Sequence, residues 1–143
     1  MKRLRISSTL VPKYVRLLLD THVFLWAMGE PEQLPKRMRR EIESSANEVY
    51  VSAVVGWEIA MKHAIGKLPL PMHPSAYVLS RLKRSGFLKL PITLSHALAV
   101  SDLPAHHADP FDRLLIAQAQ IEGMALASVD TQIAKYAVKV LRT

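Results

Sequence analysis

Two short, largely apolar runs, VRLLL at residues 15–19 and MALASV at residues 124–129, each stop at an aspartate. Such runs are too short for a buried helix and lack the alternation of a half-wet strand, so they suit strands covered on both faces. Strands of that kind belong to parallel sheets, whose neighbours must be joined by crossover segments, usually helical. The intervening sequence supplies them. THVFLWAMGEPEQLP predicts a short helix stopped by Gly29 and Pro31, and PKRMRREIESS a second one opened by Pro35. EVYVSA predicts a strand over 49–52, and VVGWEIAMKHAIGK a helix closed by Gly66. LPLPMHPS is a proline-rich loop, SAYVLSRLKRSG a helix ended by Gly86, and FLKLPI a short strand. TLSHALAVSDLP predicts a helix with Thr93 at its N-cap, followed by the helix DPFDRLLIAQAQIEG. A short helix from Thr131 and a last strand over 138–141 complete the chain. This alternation gives the α/β class with a mainly parallel sheet.

Four acids stand in costly places. Asp20 directly follows the first apolar run and Asp130 follows the other, and ligands of open parallel sheets sit just beyond the carboxyl ends of the strands. Both residues also have a plain structural role open to them, as helix N-caps. Glu58 shares a helical stripe with Val54, Met61 and Ile65, where an unpaired charge is expensive to bury. Its structural alternative is a surface pair with Lys62, four residues on. In DPFDRLLIAQAQIEG, Asp109 is the N-cap and Pro110 the first helical residue, which puts Asp112 where an acid favours the helix dipole. Yet Asp112 also aligns with Leu115, Ile116 and Ala119, so it points to the packed side. Arg113 is spaced to pair with Asp109 and asks nothing of Asp112. Capping explains the residue type at position 112 but not its face.

Clustered carboxylates repel, and near neutral pH they need raised pKa values or a hard divalent cation between them. Oxygen donors suit Mg2+ or Mn2+, which keep waters and accept phosphate oxygens. The rest of the chain is basic, with 19 Lys and Arg against 12 Asp and Glu and a formal charge of +7. An acidic metal pocket on a basic protein suits the cutting of a phosphodiester, because the surface attracts the backbone and the metal offsets repulsion at the cut.

Other classes fall away. With no cysteine among the 143 residues, a disulfide scaffold, a thiolate metal site and a cysteine nucleophile are excluded, and the lack suits a reducing cytoplasm. No apolar run approaches a membrane span. A signal peptide is rejected because Asp20 and His22 interrupt the apolar stretch after the basic start. Residues 1–13 are expected to form a loosely ordered basic arm or to be an over-long start, leaving one domain over 14–143. No G-x-S-x-G elbow or phosphate-binding P-loop occurs.

LLLDTHVFLW, VSAVVGWEIAMKHAIGKL, HHADPFDRLLIAQAQIEG and LASVD, in that order, resemble the PIN-domain ribonucleases, and among them the VapC-type toxins of toxin–antitoxin pairs. DPFDRLLIAQA is the most specific of these stretches. The resemblance runs from about residue 15 to the C-terminus and implies a PIN-like three-layer α/β/α domain with a central, mainly parallel sheet, usually in a homodimer. It implies that Asp20, Glu58, Asp112 and Asp130 are the catalytic acids and the ligands of Mg2+ or Mn2+. Thr21 matches the hydroxyl residue that follows the first acid, and Ser128 the small residue before the last. Asp109 is assigned to capping and to holding Arg113. The implied activity is metal-dependent endoribonuclease cleavage leaving a 5′-phosphate, with RNA as substrate and a cognate antitoxin protein as inhibitor.

His22, His63, His73, His96, His106 and His107 lack the H-E-x-x-H spacing of a zinc site and are read as surface or core residues, with His106 and His107 bordering the candidate pocket. Trp26 and Trp57 are read as core or dimer contacts. The best candidates for RNA contact are Lys36, Arg37, Arg39 and Arg40, and Arg81, Lys83 and Arg84, each also explicable as a solvated helix face. The competing reading is a non-catalytic adaptor, a basic module that binds RNA or protein and whose acids serve only as caps.

Overall fold

The computed structural model describes residues 14–143, so the expected basic arm at 1–13 lies outside the described residues. Five strands form one parallel sheet: β1 (Arg16–Leu19), β2 (Glu48–Ser52), β3 (Leu88–Leu90), β4 (Ala125–Ala127) and β5 (Val140–Leu141). Their order is β3-β2-β1-β4-β5. β1 lies in the middle because Leu17, Leu18 and Leu19 exclude water on both faces. Leu17 pairs with Val49 on one side and Ala125 on the other, and the backbone N–H of Asp20 extends the pairing to Ala127 at 3.1 Å. The chain builds outward from β1 to β3, then crosses back to place β4 on the opposite side of β1. The β1–β4 boundary is therefore the switch point where parallel sheets open a crevice.

Among the described residues, six helices flank the sheet: α1 (Thr21–Gly29), α2 (Lys36–Glu43), α3 (Ala53–Ala64), α4 (Pro74–Ser85), α5 (Leu94–Ala99) and α6 (Pro110–Glu122). α6 is buried from Leu114 to Ala119 without a break, since it packs against α3, α5 and β4 at once. Gly123 ends it in the left-handed region at φ 67°, a conformation that strains residues with a Cβ. Thr93 caps α5 as expected, with His96 returning the bond to the Thr93 backbone.

Three expected elements are shorter in the structure. The helix from Thr131 is only a 3-10 turn, Ile133–Lys135, and the last strand keeps two residues, Val140 and Leu141. α5 ends at Ala99 and gives way to a 3-10 turn, Val100–Asp102. Each lies at the edge of the domain, where few contacts reward a longer element.

Candidate active site

The crevice is built from four acids delivered by four different elements. Asp20 ends β1 and caps α1, its Oδ1 accepting from the Val23 N–H at 2.8 Å. Asp130 follows β4, and its Oδ1 accepts from the Gln132 N–H at 2.8 Å. Glu58 comes from α3 and Asp112 from the first turn of α6. All four line one cleft of about 220 Å³, together with Thr21 and Asp109.

Burial and mutual repulsion govern the cleft. Asp20 is 5% exposed, and desolvation raises its pKa, partly offset by hydrogen bonding from Ser128 and from the Val23 N–H. The same Ser128 hydroxyl accepts from the Asp130 N–H at 3.1 Å, so one small residue supports both strand-end acids. Asp112 is pushed up to about 7, first by burial and then by the charge of Asp109, with lesser pushes from Asp20 and Glu58 and an opposing pull from His107. Leu115, Ile116 and Ala119 are fully packed beneath it, so the helix does carry its carboxylate on the buried side.

Glu58 is buried, but not on the expected stripe. Met61 and Ile65 are 44% and 63% exposed, and the covered face of α3 is Val54, Val55, Glu58 and Ile59. The expected pair with Lys62 forms, though it is no surface pair: Glu58 is covered and Lys62 half exposed. Glu58 also accepts from the Thr21 hydroxyl, which fixes a role for Thr21 inside the cleft. This contact with Glu58 raises the pKa of Lys62, so a protonated amine stands at the rim.

Asp109 caps α6 as expected, accepting from the N–H groups of Phe111 and Asp112. Its expected hold on Arg113 is a correction. The guanidinium turns away and donates to the carbonyls of Val100, Leu103 and Pro104 at 3.1, 3.2 and 2.9 Å, with a longer bond to His107. Carbonyls of a loop with no ladder of its own need donors, and the planar fork meets several together. Arg113 therefore shapes the segment leading into α6 rather than the cleft.

His107 was expected only at the border of the pocket, and the structure brings it into contact with two of the acids. Its Nε2 stands 3.0 Å from Asp112 Oδ2 and 3.0 Å from Asp130 Oδ2. Among the described residues, these three bring ligand atoms within 4.8 Å of one another. Its only signal in sequence was its place two residues before the N-cap of α6; Asp130 lies too far along the chain for spacing to reveal it. Of the other histidines, His22 rather than His106 lines the cleft, and His96 is a core residue bonded to Glu122 at 2.8 Å. Trp57 is not a core residue: it is half exposed and lies edge-on to Phe111. The basic groups are not drawn into the cleft. Arg37 shares a hollow with Val15, Lys139 and Arg142 at the other end of the strands, Arg39 pairs with Glu43, and Arg81 lies over the Tyr77 ring.

The donor set fits a hard divalent cation. It is made of carboxylate oxygens, and the upward push on Asp112 by its acidic neighbours marks an excess of negative charge that a cation relieves.

Comparison with known proteins bears on the fold and the family. Ribonuclease VapC16 of Mycobacterium tuberculosis is 36% identical over 59 residues, 41% of this chain and 40% of that protein's length, so the match spans well under half of either. Among solved structures, VapBC2 from Rickettsia felis bound to a DNA fragment from their promoter superposes with a TM-score of 0.67 at 12% identity, covering 89% of this chain and 98% of that one. DNA-bound VapBC from Salmonella typhimurium gives 0.64 at 16% identity, covering 89% and 97%. FitAcB from Neisseria gonorrhoeae gives 0.57 at 20% identity, covering 87% and 96%. At such identities the likeness is one of fold. The sequence model of the PIN domain matches residues 17–139, from the first strand almost to the last and across all four acids, and the chain belongs to the PIN-domain family.

Proposed function

We propose that the protein is a metal-dependent endoribonuclease of the VapC type, the toxin of a toxin–antitoxin pair. The observation that carries this reading is the convergence of Asp20, Glu58, Asp112 and Asp130 on one cleft at the carboxyl ends of two adjacent parallel strands. The partial identity to a protein named a ribonuclease supports the activity, and the fold shared with VapBC assemblies supports an antitoxin protein as partner. A homodimer and residence in the cytoplasm belong to the same reading. Among the described residues, no helix is long and apolar enough to cross a membrane.

Asp20, Asp112 and Asp130 would hold Mg2+ or Mn2+, with Glu58 supporting from α3. When bound, such an ion supplies an activated water and a counter-charge for the phosphate. The chain's own groups do the rest. Thr21 and Lys62 hold Glu58 in place, and Ser128 fixes the spacing of Asp20 and Asp130. The protonated Lys62 amine at the rim receives a phosphate of the incoming backbone. RNA is the expected substrate, drawn in by the net positive charge of the remaining surface.

Calorimetric titration of the purified protein with Mn2+ tests the metal, beside Asp112→Asn. Wild type is expected to bind, and the folded variant to bind at least about tenfold more weakly. Equal binding by both would leave Asp112 as an acid that only favours the first turn of α6, and would favour the adaptor. RNA cleavage that stops when a chelator is added then tests the activity.

A further inference from the structure

His107 sits where a ligand would be expected, yet its hydrogen bonds run the wrong way for one. The backbone N–H of Asp109 points at His107 Nδ1 at 3.2 Å, so Nδ1 is an acceptor and carries no proton. The ring proton is then on Nε2, the atom 3.0 Å from both Asp112 Oδ2 and Asp130 Oδ2. A metal-bound imidazole needs its lone pair at that atom. Moving the proton to Nδ1 would set two donors against each other, Nδ1–H facing the Asp109 N–H.

The backbone around His107 also has holds other than the ring. Arg113 binds its carbonyl, and His106 packs edge-on against Tyr136. The His107 side chain remains 18% exposed, so it has a path to solvent, at the loss of its bond from the Asp109 N–H.

We propose that His107 is a positioning residue that occupies the cation's place: it donates from Nε2 to Asp130 while the same atom lies against Asp112 Oδ2, keeps the two carboxylates together, and swings out when a divalent ion enters. This rests on the metal-dependent reading above. A placeholder lowers metal affinity, because its hydrogen bonds to charged groups are lost on entry; a ligand raises it.

Two variants separate these roles. His107→Asn keeps an acceptor for the Asp109 N–H, near the place of Nδ1, but does not reach the carboxylates. His107→Gln places an amide donor near the position of Nε2. In calorimetric titrations of the full chain with Mn2+, His107→Asn is expected to bind about tenfold tighter than wild type. His107→Gln is expected to stay within about threefold of it. Weaker binding by His107→Asn makes His107 a ligand, and unchanged binding makes it a bystander; either result overturns the proposal. Nitrogen NMR of the metal-free wild type gives a reading that needs no variant: a proton on Nε2 is expected, and one on Nδ1 overturns it. Failure of the underlying reading looks different, since wild type, His107→Asn and Asp112→Asn would then all leave Mn2+ unbound.

Discussion

Asp112 links the chemistry of the cleft to the stability of the molecule. Its carboxyl titrates at about 7 in the fold against an ordinary 3.8, with burial as the main cause and Asp109 the next. Folding therefore takes up a proton in that window. The resulting contribution to stability is complete below the ordinary value and is lost as pH rises through about 7. In metal-free protein at about pH 7.5, Asp112→Asn is expected to be more stable than wild type by roughly 1–2 kcal/mol, a figure discounted because the cleft is open to water. Thermal melts across the pH range check this: the gap should close towards pH 4, roughly the ordinary carboxylate value. A gap independent of pH would trace the gain to the amide itself. The type of this residue and its inward direction could be read from the helix period. Its charge state could not, because the burial that mainly sets it comes only with the fold.

At the scale of elements, the entry to α6 depends on one side chain. Arg113 gathers carbonyls from Val100 to His107, a stretch with little regular structure of its own. Arg113→Lys keeps the charge but loses the fork, and is expected to cost about 2 kcal/mol in chemical denaturation. Limited proteolysis should then cut between residues 103 and 109, and unchanged cleavage there would argue that the loop holds itself. The strands were legible because apolar runs ending at Asp20 and Asp130 carry their own boundaries. The helices were legible where caps stood, as at Thr93, Asp109 and Gly86. What stayed hidden was decided by contacts between distant segments. Arg113 has a plausible partner four residues away in Asp109, and nothing local says that it prefers the loop. Met61 and Ile65 look like core by period, and only the packed arrangement leaves them in water. The order of strands was likewise hidden, since no local signal returns β4 to the side of β1.

For the molecule as a whole, net positive charge and an acidic cleft divide the surface into an attracting exterior and a repelling centre. With Asp20→Asn to suppress cleavage, affinity for single-stranded RNA should fall at least about tenfold between roughly 50 and 200 mM salt, as released counterions lose their advantage. A flat response would remove phosphate contact as the basis of binding, and fluorescence anisotropy measures it directly. The strand order has a further consequence, in time rather than in space. Asp20 and Asp130 are 110 residues apart in the chain, yet they meet across adjacent strands. At about 5–20 residues per second, a ribosome takes roughly 5–20 s to pass from one to the other. Throughout that interval β1 lacks β4, and no cleft holding both acids exists. A polypeptide that has not yet made β4 thus lacks an assembled cleft by topology alone.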